Sequence, residues 1–219
     1  MNCLYCDKKI NKYSLYSLFI EEDMLCIDCR KLLNLKKKTF YLDKLRCESI
    51  YEYDSLFKTL LLQYKECFDE ALKSVFLYRI DIYIRIKYIG YKIVYVPSSE
   101  EKLRIRGFNH LKEIFRPLGF KEVEGLKKKE ELVQEGKGLN DRKKMMDNYY
   151  YEGEYIDRLL IVDDVCTTGS SLIGIYNAFK GKTGKIRAFV LANAFSARKG
   201  FQWFKNVIKY NHKDEGVGS

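Results

Sequence analysis

Apolar residues recur along this 219-residue chain with two different periods. From about residue 42 to 87 the spacing is three and four, clearest in SLFKTLLLQYKECFDEALKSVFLYRI, which holds neither glycine nor proline. That periodicity predicts helix throughout the stretch. Next, KIVYVP (92–97) is a short β-rich run stopped by proline, and its composition predicts a buried strand. In SSEEKLRIRGFNHLKEIFRPLGF, either Ser98 or Ser99 can cap a helix whose first turn carries Glu100 and Glu101. GLKKKEELVQEGKGLNDRKKMMDN is polar, lysine-rich and holds three glycines, so its middle reads as a loop. YYYEG and RLLIVDDV read as strands, SSLIGIYNAFKG as a helix ended by Gly181, and KIRAFVLANA as a further strand. Strands alternating with helices predict an α/β fold, a mostly parallel sheet with helices on both faces.

In an open parallel sheet, ligands bind beyond the carboxyl ends of the strands. RLLIVDD puts Asp163 and Asp164 at such an end, and VCTTGSS then turns into a helix N-terminus. There the hydroxyls of Thr167, Thr168, Ser170 and Ser171, with free backbone N–H groups, can encircle a phosphate in the favourable field of the helix dipole. Gly169 lets the backbone approach that phosphate closely. The carboxylates repel a phosphate, but they accept hydrogen bonds from sugar hydroxyls. The pattern therefore describes one ligand, a sugar 5-phosphate held at both ends.

A second pattern opens the chain. CLYC (Cys3, Cys6) and CIDC (Cys26, Cys29) are separated by nineteen residues. Each C-x2-C turn lets two thiolates converge on one tetrahedral ion, and the alternating apolar residues between the pairs suit the short hairpin of a zinc ribbon. With four sulfur ligands the coordination shell is closed, so the expected zinc is structural. Cys47 and Cys67 stand alone and are expected as small buried hydrophobes. Cys166, inside the acidic motif, is expected to pack or meet solvent, with no histidine recognisable as its activator. The two histidines, His110 and His212, sit in no recognisable constellation.

Charge adds a constraint on partners. Forty Lys+Arg against thirty Asp+Glu give +10, spread along the chain, which suits a polyanionic or phosphorylated partner and equally a solvated basic surface. MNCLYCDKKI is not a secretory leader, and the most apolar region, 75–96, is broken by Arg79, Asp81, Arg85, Lys87 and Lys92. No membrane insertion is expected, and the chain reads as cytoplasmic, where cysteines favour metal binding or burial over disulfides.

The thirteen residues LLIVDDVCTTGSS resemble the signature with which type I phosphoribosyltransferases bind 5-phosphoribosyl 1-pyrophosphate (PRPP). Several features fall in order along the chain: the cysteine module, VP at Val96–Pro97, RGFN at 106–109, a Q…L…R pattern at Gln134, Leu139 and Arg142, and that signature. Together they resemble the competence protein F (ComF) family, amidophosphoribosyltransferase-like proteins linked to DNA uptake in natural transformation. The resemblance runs from Cys3 to about Ala194. It implies a zinc ribbon over 1–40, a type I phosphoribosyltransferase fold over 41–210 and a frayed tail over 211–219. It also implies PRPP bound with Mg²⁺. Asp163 and Asp164 would meet the ribose hydroxyls, and Val165, Cys166, Thr167, Thr168, Gly169, Ser170 and Ser171 the 5-phosphate. Arg106, Arg104 and Lys65 are candidate pyrophosphate cations, and 127–142 is a candidate lid.

Two segments depart from the family. VPSS stands where members often read Val-Pro-Val-Pro or Val-Pro-Leu-Ser, which bears on the pyrophosphate loop, and YYYEG is more aromatic than usual. No nucleobase pocket is readable. Three readings stay open: a PRPP-binding protein of DNA uptake that engages single-stranded DNA and a competence helicase, an active transferase with a nitrogenous acceptor, and a PRPP-sensing regulator. The 18 tyrosines and 13 phenylalanines, most of them expected in the core, suit the first through base stacking beside a basic surface.

Overall fold

The computed structural model describes residues 1–10, 23–67, 69–128 and 149–194. In chain order its strands are β1 (Leu35–Leu42), β2 (Leu45–Glu52), β3 (Lys92–Tyr95), β4 (Leu126–Lys128), β5 (Tyr149–Tyr151), β6 (Ile156–Cys166) and β7 (Thr183–Asn193). Its α-helices are α1 (Ile27–Leu32), α2 (Ser55–Glu66), α3 (Lys73–Leu77), α4 (Asp81–Lys87), α5 (Glu100–Arg106), α6 (His110–Phe115) and α7 (Ser170–Ala178). Five strands form one sheet in the order β1-β2-β7-β6-β3, while β4 and β5 form a separate pair. Within the large sheet β2, β7, β6 and β3 run parallel and only β1 is antiparallel. The fold is mixed α/β with a mostly parallel sheet.

Local chemistry explains most of the boundaries. Asp54 caps α2, its carboxylate accepting from the Phe57 N–H at 2.8 Å. The helix then buries Leu56, Phe57, Leu60, Leu61 and Tyr64, one apolar stripe, and Phe57 packs edge-on against Phe76 of α3. Of the two serines after β3, Ser99 is the cap of α5, accepting from the Lys102 N–H. In β6, residues Leu159–Val162 are wholly buried between β3 and β7, as a central parallel strand requires.

One expected helix is a strand. The helical period read from residue 42 begins only at Ser55; before it, Leu42 closes β1 and residues 45–52 form β2. The two strands meet in a two-residue hairpin whose Asp43 takes the left-handed conformation, φ 53°. Residues 47–51 are buried in succession, so they carry no period to distinguish strand from helix. Glu48 lies inside, accepting from the Tyr83 hydroxyl at 2.6 Å and pairing with Lys87.

β1 also crosses the boundary expected at residue 40, and one continuous core joins Cys3, Leu25, Cys29 and Leu33 to the sheet and its helices. Of the expected lid, Lys127 and Lys128 belong to β4. Its remainder, with Gln134, Leu139 and Arg142, lies outside the described residues, as do the tail and most of the loop between the cysteine pairs.

Candidate functional site

Two sites can be built from these elements. At the N-terminus, the sulfurs of Cys3, Cys6, Cys26 and Cys29 lie within 4.8 Å of one another, with Cys6 and Cys26 at 3.6 Å. A tetrahedral zinc at its usual Zn–S distance of about 2.3 Å separates its sulfurs by about 3.8 Å, so the donor set fits that ion. The backbone folds around the sulfurs. Cys3 N–H donates to Lys8 O and Asp7 N–H to Cys3 O, with Asp7 at φ 60° completing the turn. Burial works against ionising Cys3, yet N–H groups of Cys26, Cys6 and Tyr5 aimed at its sulfur bring the thiol down to about 6. Burial and the other three cysteines push Cys29 up. Four thiolates this close need a cation among them, and a bound metal ion supplies one.

The second site gathers at the end of β6. The strand continues through both acids: Asp163 pairs with Val190, Val165 with Ala192 and Cys166 with Asn193. Asp164 is buried and Asp163 partly exposed. Gly169 then turns the chain at φ 77° to start α7. A Cβ on Gly169 would stand 2.5 Å from Leu42 Cδ1, so the left-handed turn and the close packing both select glycine. Thr168 and Ser170 share a hydroxyl–hydroxyl bond of 2.7 Å, and Ser170 N–H also points at Thr168 Oγ1. The Tyr149 hydroxyl from β5 lies near Ser171, in the first turn of α7. Thr167 and Thr168 are exposed.

Asp164 is surrounded by partners the sequence did not announce. His110 Nε2 lies 2.7 Å from its Oδ2, and Lys65 Nζ pairs with the same oxygen. On its other side, His110 Nδ1 is 3.4 Å from Arg106, and Arg106 reaches Glu66 at 2.7 Å. RGFN is what aims these groups. Gly107, left-handed at φ 75°, stops α5; Asn109 restarts α6 by capping the Lys112 N–H; and Arg106 and His110 emerge facing one another. Phe108 packs on Tyr64, whose hydroxyl donates to His110 O.

Burial raises Asp164, but the His110 hydrogen bond and the Lys65 charge outweigh it and hold the carboxyl below its ordinary range. Burial and the Asp164 charge push Asp163 well up. Burial lowers His110 against the pull of Asp164. The histidine therefore rests neutral.

Several expectations change here. His110 does sit in a constellation, 54 residues from Asp164 in sequence, a separation that no local pattern spans. The nearest available signal was its place four residues after Arg106, on the far side of the helix stop. The three candidate cations also separate. Arg104 is exposed on α5, Arg106 is buried on Glu66 and His110, and Lys65 is engaged by Asp164. Of the two surroundings expected for Cys166, packing or solvent, it has the first: it is buried, its thiol pushed up to about 12, mainly by burial. Cys47 is buried, whereas Cys67, at the end of α2, is exposed. Glu66, Tyr149 and Leu42, each beside the site, carried no motif.

Fold and site together define a class: a four-cysteine module on a mostly parallel α/β domain whose acidic strand end runs into a hydroxyl-rich helix start. No protein-family model matches the chain. Among curated proteins it is similar to competence protein ComFC of Streptococcus pneumoniae (strain ATCC BAA-255 / R6), with 26% identity over 126 residues. The matched stretch is 57% of this chain and 57% of that protein, so the chain spans little more than half the length of its curated relative. The match supports membership, at a distance, of the ComF family. Among the described residues, no helix is long and apolar enough to cross a membrane.

Proposed function

We propose that the chain is a PRPP-binding protein of type I phosphoribosyltransferase fold that acts in natural transformation, in the cytoplasm, where single-stranded DNA is internalised. The competence role comes from the relative's name. The ligand comes from one observation: Asp163 and Asp164 lie near the end of β6, and after three intervening residues Thr168 and Gly169 lead into α7, which opens with Ser170 and Ser171. A 5-phosphate in that turn would draw the Thr168 and Ser170 hydroxyls away from each other to donate to it, with the helix N-terminus adding its partial positive charge. The acidic end accepts from ribose hydroxyls, and Mg²⁺ travels with the pyrophosphate. Single-stranded DNA and a competence helicase are the partners this reading carries.

Calorimetric titration with PRPP and Mg²⁺ tests it. Saturable binding is expected, competed by ribose 5-phosphate and lost when Ser170 and Ser171 are both changed to alanine. Wild-type protein that gives no heat and no PRPP-dependent rise in Tm would sink the reading. Release of pyrophosphate with any amine or base in a broad panel would favour an active transferase over a binding protein.

A further inference from the structure

Asp163 and Asp164 are neighbours in sequence with unlike surroundings. The β6–β7 register runs unshifted from Asp163 to Cys166, so successive side chains leave opposite faces of the sheet. Asp164 points to the side of α2 and α6, where Lys65 and His110 share its Oδ2. Asp163, one oxygen of which accepts from the Asp164 N–H at 2.9 Å, is on the other side, near Tyr149, which burial chiefly and the Asp163 charge in part raise and which lies near Ser171 of the candidate phosphate turn.

The hydrogen-bond direction along the buried chain is fixed by chemistry. Arginine has no acceptor, and an ionised carboxylate has no donor. His110 must then donate from Nε2 to Asp164 and accept at Nδ1 from Arg106, which donates onward to Glu66. Lys65 and Glu66 belong to α2, Arg106 to α5 and His110 to α6, so five side chains tie three helices to the end of β6. The charges of Lys65 and Arg106 are matched inside the protein, by Asp164 and Glu66.

We propose that Asp164 and His110 are positioning residues that clamp the end of β6 to α2, α5 and α6, and that Asp163 alone presents a carboxylate to the ligand. The second half rests on the PRPP reading above, whereas the first stands without it. Leaving Asp164 uncharged or His110 unable to bridge would loosen the strand end from which the phosphate turn departs.

The chain's two histidines make the first half measurable by ring-nitrogen NMR of the full-length protein without ligand, with His212→Gln to assign the signals. The groups facing His110 are Asp164, Lys65 and Arg106. The expected result is a neutral ring with its proton on Nε2, titrating only below the ordinary value of about 6.5 and altered by Asp164→Asn but not by Asp163→Asn. A ring that titrates near the ordinary value of about 6.5, or one protonated on Nδ1, overturns the clamp.

PRPP–Mg²⁺ titrations then divide the roles. Asp163→Asn should lose at least about tenfold in affinity, the scale of one charge-assisted hydrogen bond. His110→Gln, whose amide can both donate and accept, should bind nearly as wild type, while His110→Leu should lose affinity and Tm together. Unchanged binding by Asp163→Asn, or failure of glutamine to rescue, counts against the assignment. If wild-type protein binds no PRPP, the ligand reading falls, and the NMR result still decides the clamp.

Discussion

Asp163 and His110 pull the stability of this protein in opposite directions with pH, and one substitution separates them. Asp163 is raised, so the folded chain holds its proton more tightly than the unfolded one. Its contribution is present at low pH and is lost as pH rises through the folded value, which makes the ionised carboxylate a cost near neutrality. His110 is lowered, so below about pH 6.5 the unfolded chain binds a proton that the folded chain refuses, and stability falls as pH drops. Asp164 is held below the ordinary carboxylate range, and its contribution persists through this window. Asp163→Asn should therefore raise Tm by at least about 2 °C at pH 7–8, at the expense of ligand binding, the trade expected of a site residue. In that variant Tm should fall between pH 7 and 5.5, and adding His110→Gln should flatten the fall. A scanning calorimetry series checks this, and a double variant that keeps the full slope would show that another group carries it.

Elements built from local chemistry were legible, and those built from distant contacts were not. The serine cap of α5 is a matter of neighbouring residues and occurs as the residue types demand. β2 was misread because it is buried along five successive positions, which erases the alternation that marks a strand, and because Glu48 finds its partners on α4. The acidic motif was readable as a candidate site, yet the sequence could not distribute its two carboxylates between faces, because that follows from the β6–β7 register. Leu42 was invisible for the same reason. It reaches from the β1–β2 hairpin to lie against Gly169, joining two distant segments. A methyl at position 169 should cost about 1–2 kcal/mol for the left-handed backbone alone, with more for displacing Leu42. Urea unfolding of Gly169→Ala, Leu42→Ala and the double variant tests the contact. The double variant should be less destabilised than the sum of the singles, since shortening Leu42 frees the space the methyl needs; strict additivity would mean that the two side chains do not meet.

At the scale of the molecule, the cysteine module is held as part of the main core. Arg30 of α1 binds Asp23 with two nitrogens, donates to Val75 O of α3 at 2.9 Å and lies over the Tyr78 ring. Gln63 of α2 donates to Leu4 O inside the first cysteine turn, and Leu25 and Leu33 are buried in the common core. Gln63 is two residues from Lys65, so one helix grips the first cysteine turn with one side chain and Asp164 with another. Zinc bound by the four sulfurs would then stabilise the whole chain, because a metal that binds only the folded state adds its binding energy to folding. Metal analysis should find one zinc ion per chain. Removing it with a strong chelator should lower Tm in a single calorimetric transition, with no separate low-temperature step for the module, and should weaken PRPP binding through α2. Cys29→Ser, at a buried cysteine of the cluster, should act as chelation does. A chelated protein that keeps its Tm, or one that melts in two steps, would show that the module folds apart from the sheet and that its contacts with α2 and α3 carry no stability.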